Sequence, residues 1–223
     1  MTMIKKYALF LGGILFFTAP AFAQQTAAPD TAYTRAITQR ADKIVTTLGI
    51  TDAAKSTKVR DIIVQQYRDL NDLQMVHDPA VKAAKEQLKE DKPALEAKLK
   101  GIEAENDAKL SKLHAAYLAK LSANLTTQQV DQVKDGMTYG VVPLTYRVYT
   151  EILPNLTEAQ KTQMMAWLVE AREHAMDAGS SDKKHAWFGK YKGRINNYLA
   201  ANGIDMKQAE KEWRERKKAE AGK

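Results

Sequence analysis

The chain of 223 residues contains no cysteine. Disulfides, metal–thiolate centres and thiol nucleophiles are excluded together, so stability has to come from a hydrophobic core. Long apolar runs are scarce as well. The run from Tyr7 to Phe17 lies at the N-terminus and is shorter than the roughly 20 residues a membrane span needs. Beyond residue 23 there is one phenylalanine, Phe188. No HExxH pair, Gly-rich phosphate loop, GxSxG elbow or dinucleotide fingerprint is present, which removes the motif-bearing enzyme classes. No convincing stretch alternates with period two, so no strand is expected.

What stands at the N-terminus is a signal peptide in all three parts. Lys5 and Lys6 precede the apolar run, and Ala21-Phe22-Ala23 supplies a small-residue cleavage site. Cleavage after Ala23 predicts a periplasmic or secreted protein with no transmembrane segment, and no cysteine near that point offers a lipid anchor. Residues 24–31 read as a flexible leader and residues 32–223 as a single α-helical domain of sufficient length to bury a core. The net charge of +7 becomes +5 once Lys5 and Lys6 leave. An exported protein of that charge meets anionic glycans, lipid head groups or acidic proteins rather than nucleic acid.

Helical periodicity runs almost to the C-terminus. Ile37, Ile44, Val45 and Leu48 define a first amphipathic helix stopped at Gly49. Thr51 opens a second, with Val59, Ile63, Tyr67 and Leu70 on one face and His77-Asp78-Pro79 as its expected end. From Ala80 to Ala123 charges of both signs crowd the sequence, and Leu88, Leu99, Leu110 and Leu121 recur every eleven residues. That period keeps an apolar stripe nearly straight along a helix. Pro93 belongs in the first turn of the longer piece, which would be roughly 46 Å long at 1.5 Å per residue. Such a helix is either a coiled-coil arm for a partner or a bundle helix with one buried stripe.

Leu125-Thr-Thr-Gln-Gln129 and Leu156-Thr-Glu-Ala-Gln160 share the pattern LTxxQ. Thr126 with Gln129, and Thr157 with Gln160, predict capping boxes. Between them Gly136 and Gly140 break the chain, and Pro143 restarts a helix. The next helix runs to Ala178 with Gly179 as its C-terminal cap. Ser180, Ser181 or Asp182 caps the following one, which Gly203 closes, and Met206 to Glu220 forms a last basic helix.

The densest chemistry lies between Ala171 and Leu199. On a helix, Phe188, Tyr191, Ile195 and Tyr198 share a core-facing side. Trp187, Lys190, Arg194 and Asn197 fall on a neighbouring side. Aromatic faces stack on the C–H face of a pyranose, and amides, cations and carboxylates take its hydroxyls. The candidate ligand-binding residues are Tyr139, Tyr146, Arg172, Glu173, His174, His185, Trp187, Lys190, Arg194 and Asn197. The bland alternative is that the rings fill a core. Glu170, Glu173, His174 and Asp177 form a polar ridge, but acids at this spacing occur on most solvated helices, so no catalytic residue, metal ligand or cofactor is assigned. Lys184, Lys190, Lys192 and Arg194 favour an acidic glycan such as a uronate polymer over a neutral one; the equal alternative is a solvated basic face.

The segments DGMTYGVVPLTY, LPNLTEAQ and AREHAMDAGSSDKKHAWFGKYKGRINNYL resemble an exported Gram-negative bacterial family of unknown function that carries a sugar-binding label. The likeness runs from about Tyr33 to Trp213. It implies secretion, often beside polysaccharide-degrading systems, and it supplies no catalytic residues. A weaker likeness, on the two LTxxQ segments, is to periplasmic chaperones of the Spy and CpxP type. The expectation is therefore an all-α, helical-bundle-like domain of about seven or eight helices with one long charged helix or hairpin arm. Its expected function is non-catalytic binding of a poly- or oligosaccharide. The alternative is a chaperone or envelope-stress protein with an envelope or secreted protein partner.

Overall fold

The computed structural model describes residues 31–222. The expected signal peptide and all but the last residue of the expected leader lie outside the described residues. The described residues form eight helices and no strand, so the all-α reading holds. They are α1 (Thr31–Thr46), α2 (Ala53–Gln87), α3 (Lys92–Ser122) and α4 (Thr127–Met137), followed by α5 (Val141–Ile152), α6 (Glu158–Met176), α7 (Ser181–Ala201) and α8 (Met206–Ala221).

Two elements make the arm. α2 is 35 residues long and α3 is 31, so they extend about 52 and 46 Å. They are joined by the short turn after Gln87. α2 does not end at Pro79 as the sequence suggests; the proline lies inside it. An interior proline removes one backbone hydrogen bond and crowds the carbonyl four residues earlier, at a cost of about 3 kcal/mol. Burial on both sides of it outweighs that cost. Leu70 and Ala84 are both buried on α2. The His77 ring also reaches Glu103 on α3 at 3.0 Å, and stopping the helix would lose these contacts. The start of α2 is capped by Asp52, which accepts from the amides of Ala54 and Lys55, and not by Thr51. Asp91 caps α3, with Pro93 in its first turn as expected. Of the leucine stripe, Leu121 is fully buried. Leu88, Leu99 and Leu110 are half-buried.

Both capping boxes form. Thr126 accepts from the Gln129 amide at 3.2 Å, and Gln129 Oε1 accepts from the Thr126 amide at 3.1 Å. Thr157 and Gln160 repeat this at 3.2 and 2.9 Å. Gln129 Nε2 also donates to the Leu48 carbonyl at 2.9 Å, which fastens α4 to the end of α1.

The apolar residues collect into two clusters. One joins α1, the inner half of α2, the end of α3 and α4, with Val59, Ile63, Tyr117, Leu121 and Val133 at its centre. The other joins α5 to α8 around Met164, Leu168, Phe188, Ile195 and Leu199. Met176, at the end of α6, belongs to the first cluster, so α6 spans both.

The glycines divide differently from the sequence reading. Gly136 lies within α4 and does not adopt positive φ. A Cβ there would stand 2.7 Å from Ile44 Cγ1, so this glycine serves the close approach of α1 and α4. The break itself is made by Tyr139 and Gly140, with φ of 61° and 66°. Gly179 is not a left-handed cap either. α6 ends at Met176, and a Cβ on Gly179 would overlap the Gln74 amide.

Candidate functional site

The end of α6, the start of α7 and the arm enclose a cleft in two adjoining parts. The outer part, of about 540 Å³, has Leu73, Gln74 and His77 from α2 and Glu103, Asn106 and Asp107 from α3 on its arm side. Asp177, Lys183, Trp187 and Lys190 face them. The inner part, of about 580 Å³, adds Ser111, His114, Glu173 and His174. Asp107, Leu110, Asp177 and Trp187 border both. The mixture of an indole, leucines, amides and charges is that of a small-molecule site with a few placed polar groups.

Helix phase sets the indole. Phe188, Tyr191, Ile195 and Leu199 are buried on one side of α7. Leu199, not Tyr198, completes that side; Tyr198 is half-buried with its ring edge-on to Trp167 at 5.3 Å. Trp187 is displaced from the buried side and is half-buried. Its ring stacks on His174 at 4.4 Å and 15°, and the Lys190 ammonium lies 4.9 Å from its centroid. Lys190 is itself exposed.

Histidines on the arm carry the electrostatics. His77 Nδ1 and Nε2 each lie 3.0 Å from a carboxylate oxygen, of Asp78 and Glu103. The hydrogen bond to Asp78 raises the His77 pKa, and Glu103 adds to it. Deeper in, His114 Nδ1 is 2.6 Å from Asp177 Oδ2, and Nε2 is 3.6 Å from Glu173 Oε2. The Asp177 hydrogen bond raises the His114 pKa against the opposing effect of burial. Ser111 borders the same space, but no hydrogen bond joins it to His114 among the described residues. His114 Nε2 faces Glu173 instead, so the pair needed for a serine nucleophile is not assembled.

The residues singled out from sequence separate into three groups. Glu173, His174, Trp187 and Lys190 come together in the cleft. Arg172 is buried away from it, 2.6 Å from Asp131 and 2.8 Å from Asp135 on α4. It ties α6 to α4. The others lie elsewhere. Tyr139 stacks on His185 at 5.6 Å, Tyr146 packs on the second apolar cluster, and Arg194 covers Trp167 at 4.6 Å and pairs with Glu170. Asn197 is exposed and outside the cleft lining. The basic set divides too. Lys184 is buried and donates to the Ala175 and Met176 carbonyls at 3.0 and 2.9 Å, capping α6, and burial lowers its pKa to about 8. Lys192 borders a separate small cavity.

Gln74, His77, Glu103, Asn106, Asp107 and His114 were missed by sequence reasoning. Each sits on a charged, solvated-looking arm, and only the return of α6 and α7 against that arm turns them inward. The one available signal was the histidines, since His77 and His114 are the only two on the arm.

No helix among the described residues is long and apolar enough to cross a membrane, and no group of three or more His, Asp or Glu residues among them is placed to hold a metal ion. A search of curated proteins finds no match to the chain. The sequence profile of the family described as "protein of unknown function (DUF3826)" matches residues 34–219, and the chain belongs to that family.

Proposed function

We propose that the protein is exported and binds carbohydrate without catalysis, as an accessory to polysaccharide use outside the cytoplasm. The ligand lies in the cleft between the α2–α3 arm and the α6–α7 junction. The observation that carries this reading is the placement of the Trp187 indole beside Gln74, Asn106 and Asp107 around one open space of about 540 Å³. A pyranose offers an apolar C–H face and a ring of hydroxyls, and this lining offers a ring surface together with amide and carboxylate partners. Lys183 and Lys190 at the same opening favour acidic sugars, although the basic set is smaller than the sequence suggests because Lys184 is consumed as a helix cap.

The chaperone alternative gains less support. Its motif residues Thr126, Gln129, Thr157 and Gln160 are engaged in capping boxes, and capping alone accounts for the repeat. A glycan array probed with the purified protein tests the proposal, with titration calorimetry on the best ligand. Binding to one or more glycans, reduced by Trp187→Ala, is the expected result. No glycan bound, together with suppression of aggregation of an unfolded client, would reverse the order of the two readings.

A further inference from the structure

Two of the chain's four histidines lie on the arm at the cleft, and each ring is bracketed by two carboxylates. His114 has Asp177 at 2.6 Å from Nδ1 and Glu173 at 3.6 Å from Nε2, both at the end of α6. His77 has Asp78 of α2 and Glu103 of α3, each at 3.0 Å. A neutral imidazole carries one N–H and one lone pair. It serves one acid of each pair and turns the lone pair toward the other. Only the imidazolium offers an N–H to both. These bridges sit where the arm faces the second half of the molecule. At its root the arm is packed, with Val59, Ile63, Tyr117 and Leu121 buried in the first cluster beside Met176. Beyond Leu70 on α2 and before Tyr117 on α3, Ala84 alone is buried among the described residues. Across the cleft the arm meets α6 and α7 through side chains. His114 meets Asp177 and Glu173, Asp78 meets Lys183 at 3.5 Å, and Gln74, which donates to Asp78 at 2.9 Å, rests on Gly179. An arm packed at its root and bridged farther out by a few side chains can swing when the bridges weaken.

We propose that the α2–α3 arm is a pH-gated cover of the cleft: the His114 imidazolium, supported by that of His77, holds the arm against α6 and α7, and loss of these protons releases it. This goes beyond the carbohydrate reading, because it concerns the cleft with or without a ligand. His114 faces Asp177 and Glu173 from α6 and Lys134 from α4. Lys134 and Arg172 stand 2.9 and 3.6 Å from Glu173, and the buried Lys184 feels Asp177. His77 faces Asp78 and Glu103, and Lys183 of α7 reaches it through Asp78. The acids prevail at both rings. The hydrogen bond to Asp177 raises the His114 pKa against the effect of burial, and the hydrogen bond to Asp78 does the same for His77. Both rings are therefore charged below the ordinary value of 6.5, where the cover is closed. The bridges are lost as pH rises through the folded-state values.

Because the chain has no cysteine, a pair of spin labels can be placed without removing native thiols. Lys89→Cys near the tip of the arm and Lys192→Cys on α7, both exposed, carry the labels. Dipolar spectroscopy reads the distance between them from about pH 5.5 to about pH 8.5, on either side of the ordinary histidine range. The expected result is a narrow distribution at the acid end that lengthens and broadens as pH rises. With His77→Gln and His114→Gln added, the distribution is long and broad throughout, since glutamine carries no charge at any pH. A distance in the otherwise unaltered protein that is the same at both ends overturns the gate. So does a pH response kept by the double histidine variant, which would then belong to another group such as Lys184, lowered to about 8. Should that variant fail to fold by circular dichroism, the imidazole proton resonances of the wild type decide. A distance change that shares a histidine midpoint raised above 6.5 supports the gate, and one that follows no histidine overturns it. No ligand enters these measurements, so failure of the gate leaves the carbohydrate reading standing, and an empty glycan array leaves the gate standing.

Discussion

His114 Nδ1 lies 2.6 Å from Asp177 Oδ2 and joins the last third of α3 to the residue that caps the end of α6. The bond closes the inner end of the cleft. It links elements 63 residues apart in sequence. Both acids that face His114, Asp177 and Glu173, favour its charged form, with Lys134 opposing.

The first prediction follows from the sign of that shift. The His114 pKa is raised in the folded protein above its ordinary value of 6.5, chiefly by Asp177. Its contribution to stability is therefore full below about pH 6.5 and is lost as pH rises through the folded-state value. With side chains 24% and 7% exposed, the bond should contribute about 1.5–3 kcal/mol, the range for hydrogen bonds to charged groups. His114→Gln should lower the melting temperature at pH 5.5 and flatten its decline between pH 6 and 8. The same decline in wild type and variant would show that other groups set it. Lys184, lowered to about 8, acts in the opposite sense above that pH, so the comparison belongs below it.

Arg172→Met should destabilise strongly without a specific effect on ligands. It removes the cation from Asp131 and Asp135, and breaking a buried pair of this kind costs about 3–5 kcal/mol. Half of that or less is expected if the exposed side of Asp131, 50% accessible, lets solvent take over. Denaturant titration measures the loss. A stable variant with abolished binding would return Arg172 to the ligand site.

For Trp187 the half-buried position implies a mixed outcome. Trp187→Ala should cost about 2 kcal/mol of stability, below the 3–5 kcal/mol of a fully buried ring. It should weaken glycan binding by roughly 1–3 kcal/mol, by analogy with base–aromatic stacking. Trp187→Phe should recover most of both. Asn197→Ala, outside the cleft, should change stability by no more than about 0.5 kcal/mol and leave binding unaltered. Loss of binding in Asn197→Ala would place the ligand on the outer side of α7.

Gly136 and Ile44 form a coupled pair. Gly136→Ala puts a Cβ 2.7 Å from Ile44 Cγ1 and should cost about 1–3 kcal/mol, the usual range for overpacking. In an Ile44→Ala background the same change should be neutral or stabilising, because the new methyl enters the space the isoleucine leaves. Thermal melts of the four proteins give the coupling, and simple additivity would argue against the close approach.

The caps, the arm and the core side of α7 were legible in sequence because each depends on residues within a few positions of one another. LTxxQ predicts a capping box from spacing alone, and both boxes form. Phe188, Tyr191 and Ile195 share the helical period and are buried together. Pro79 was misread for the same reason. Local preference ends a helix there, and the burial of Leu70 and Ala84 on α2, which depends on other helices, carries it through. Gly136 and Gly179 were read as turn residues when their small size answers to Ile44 and to Gln74, distant in the chain.

By itself the sequence determined an all-α chain, the two LTxxQ helix starts, and a Trp187 placed off the buried side of its helix. Those follow from periodicity and backbone hydrogen bonding, which act over one or two turns. Only the tertiary structure decided which polar residues meet. It sent Arg172 and Lys184 inward as ties and caps, left Arg194 and Asn197 outside, and brought His114 of the arm to Asp177. The reason is geometric. A charged residue on a helix looks alike in sequence whether its face meets water or another helix. That choice is made by how α6 and α7 fold back on the arm.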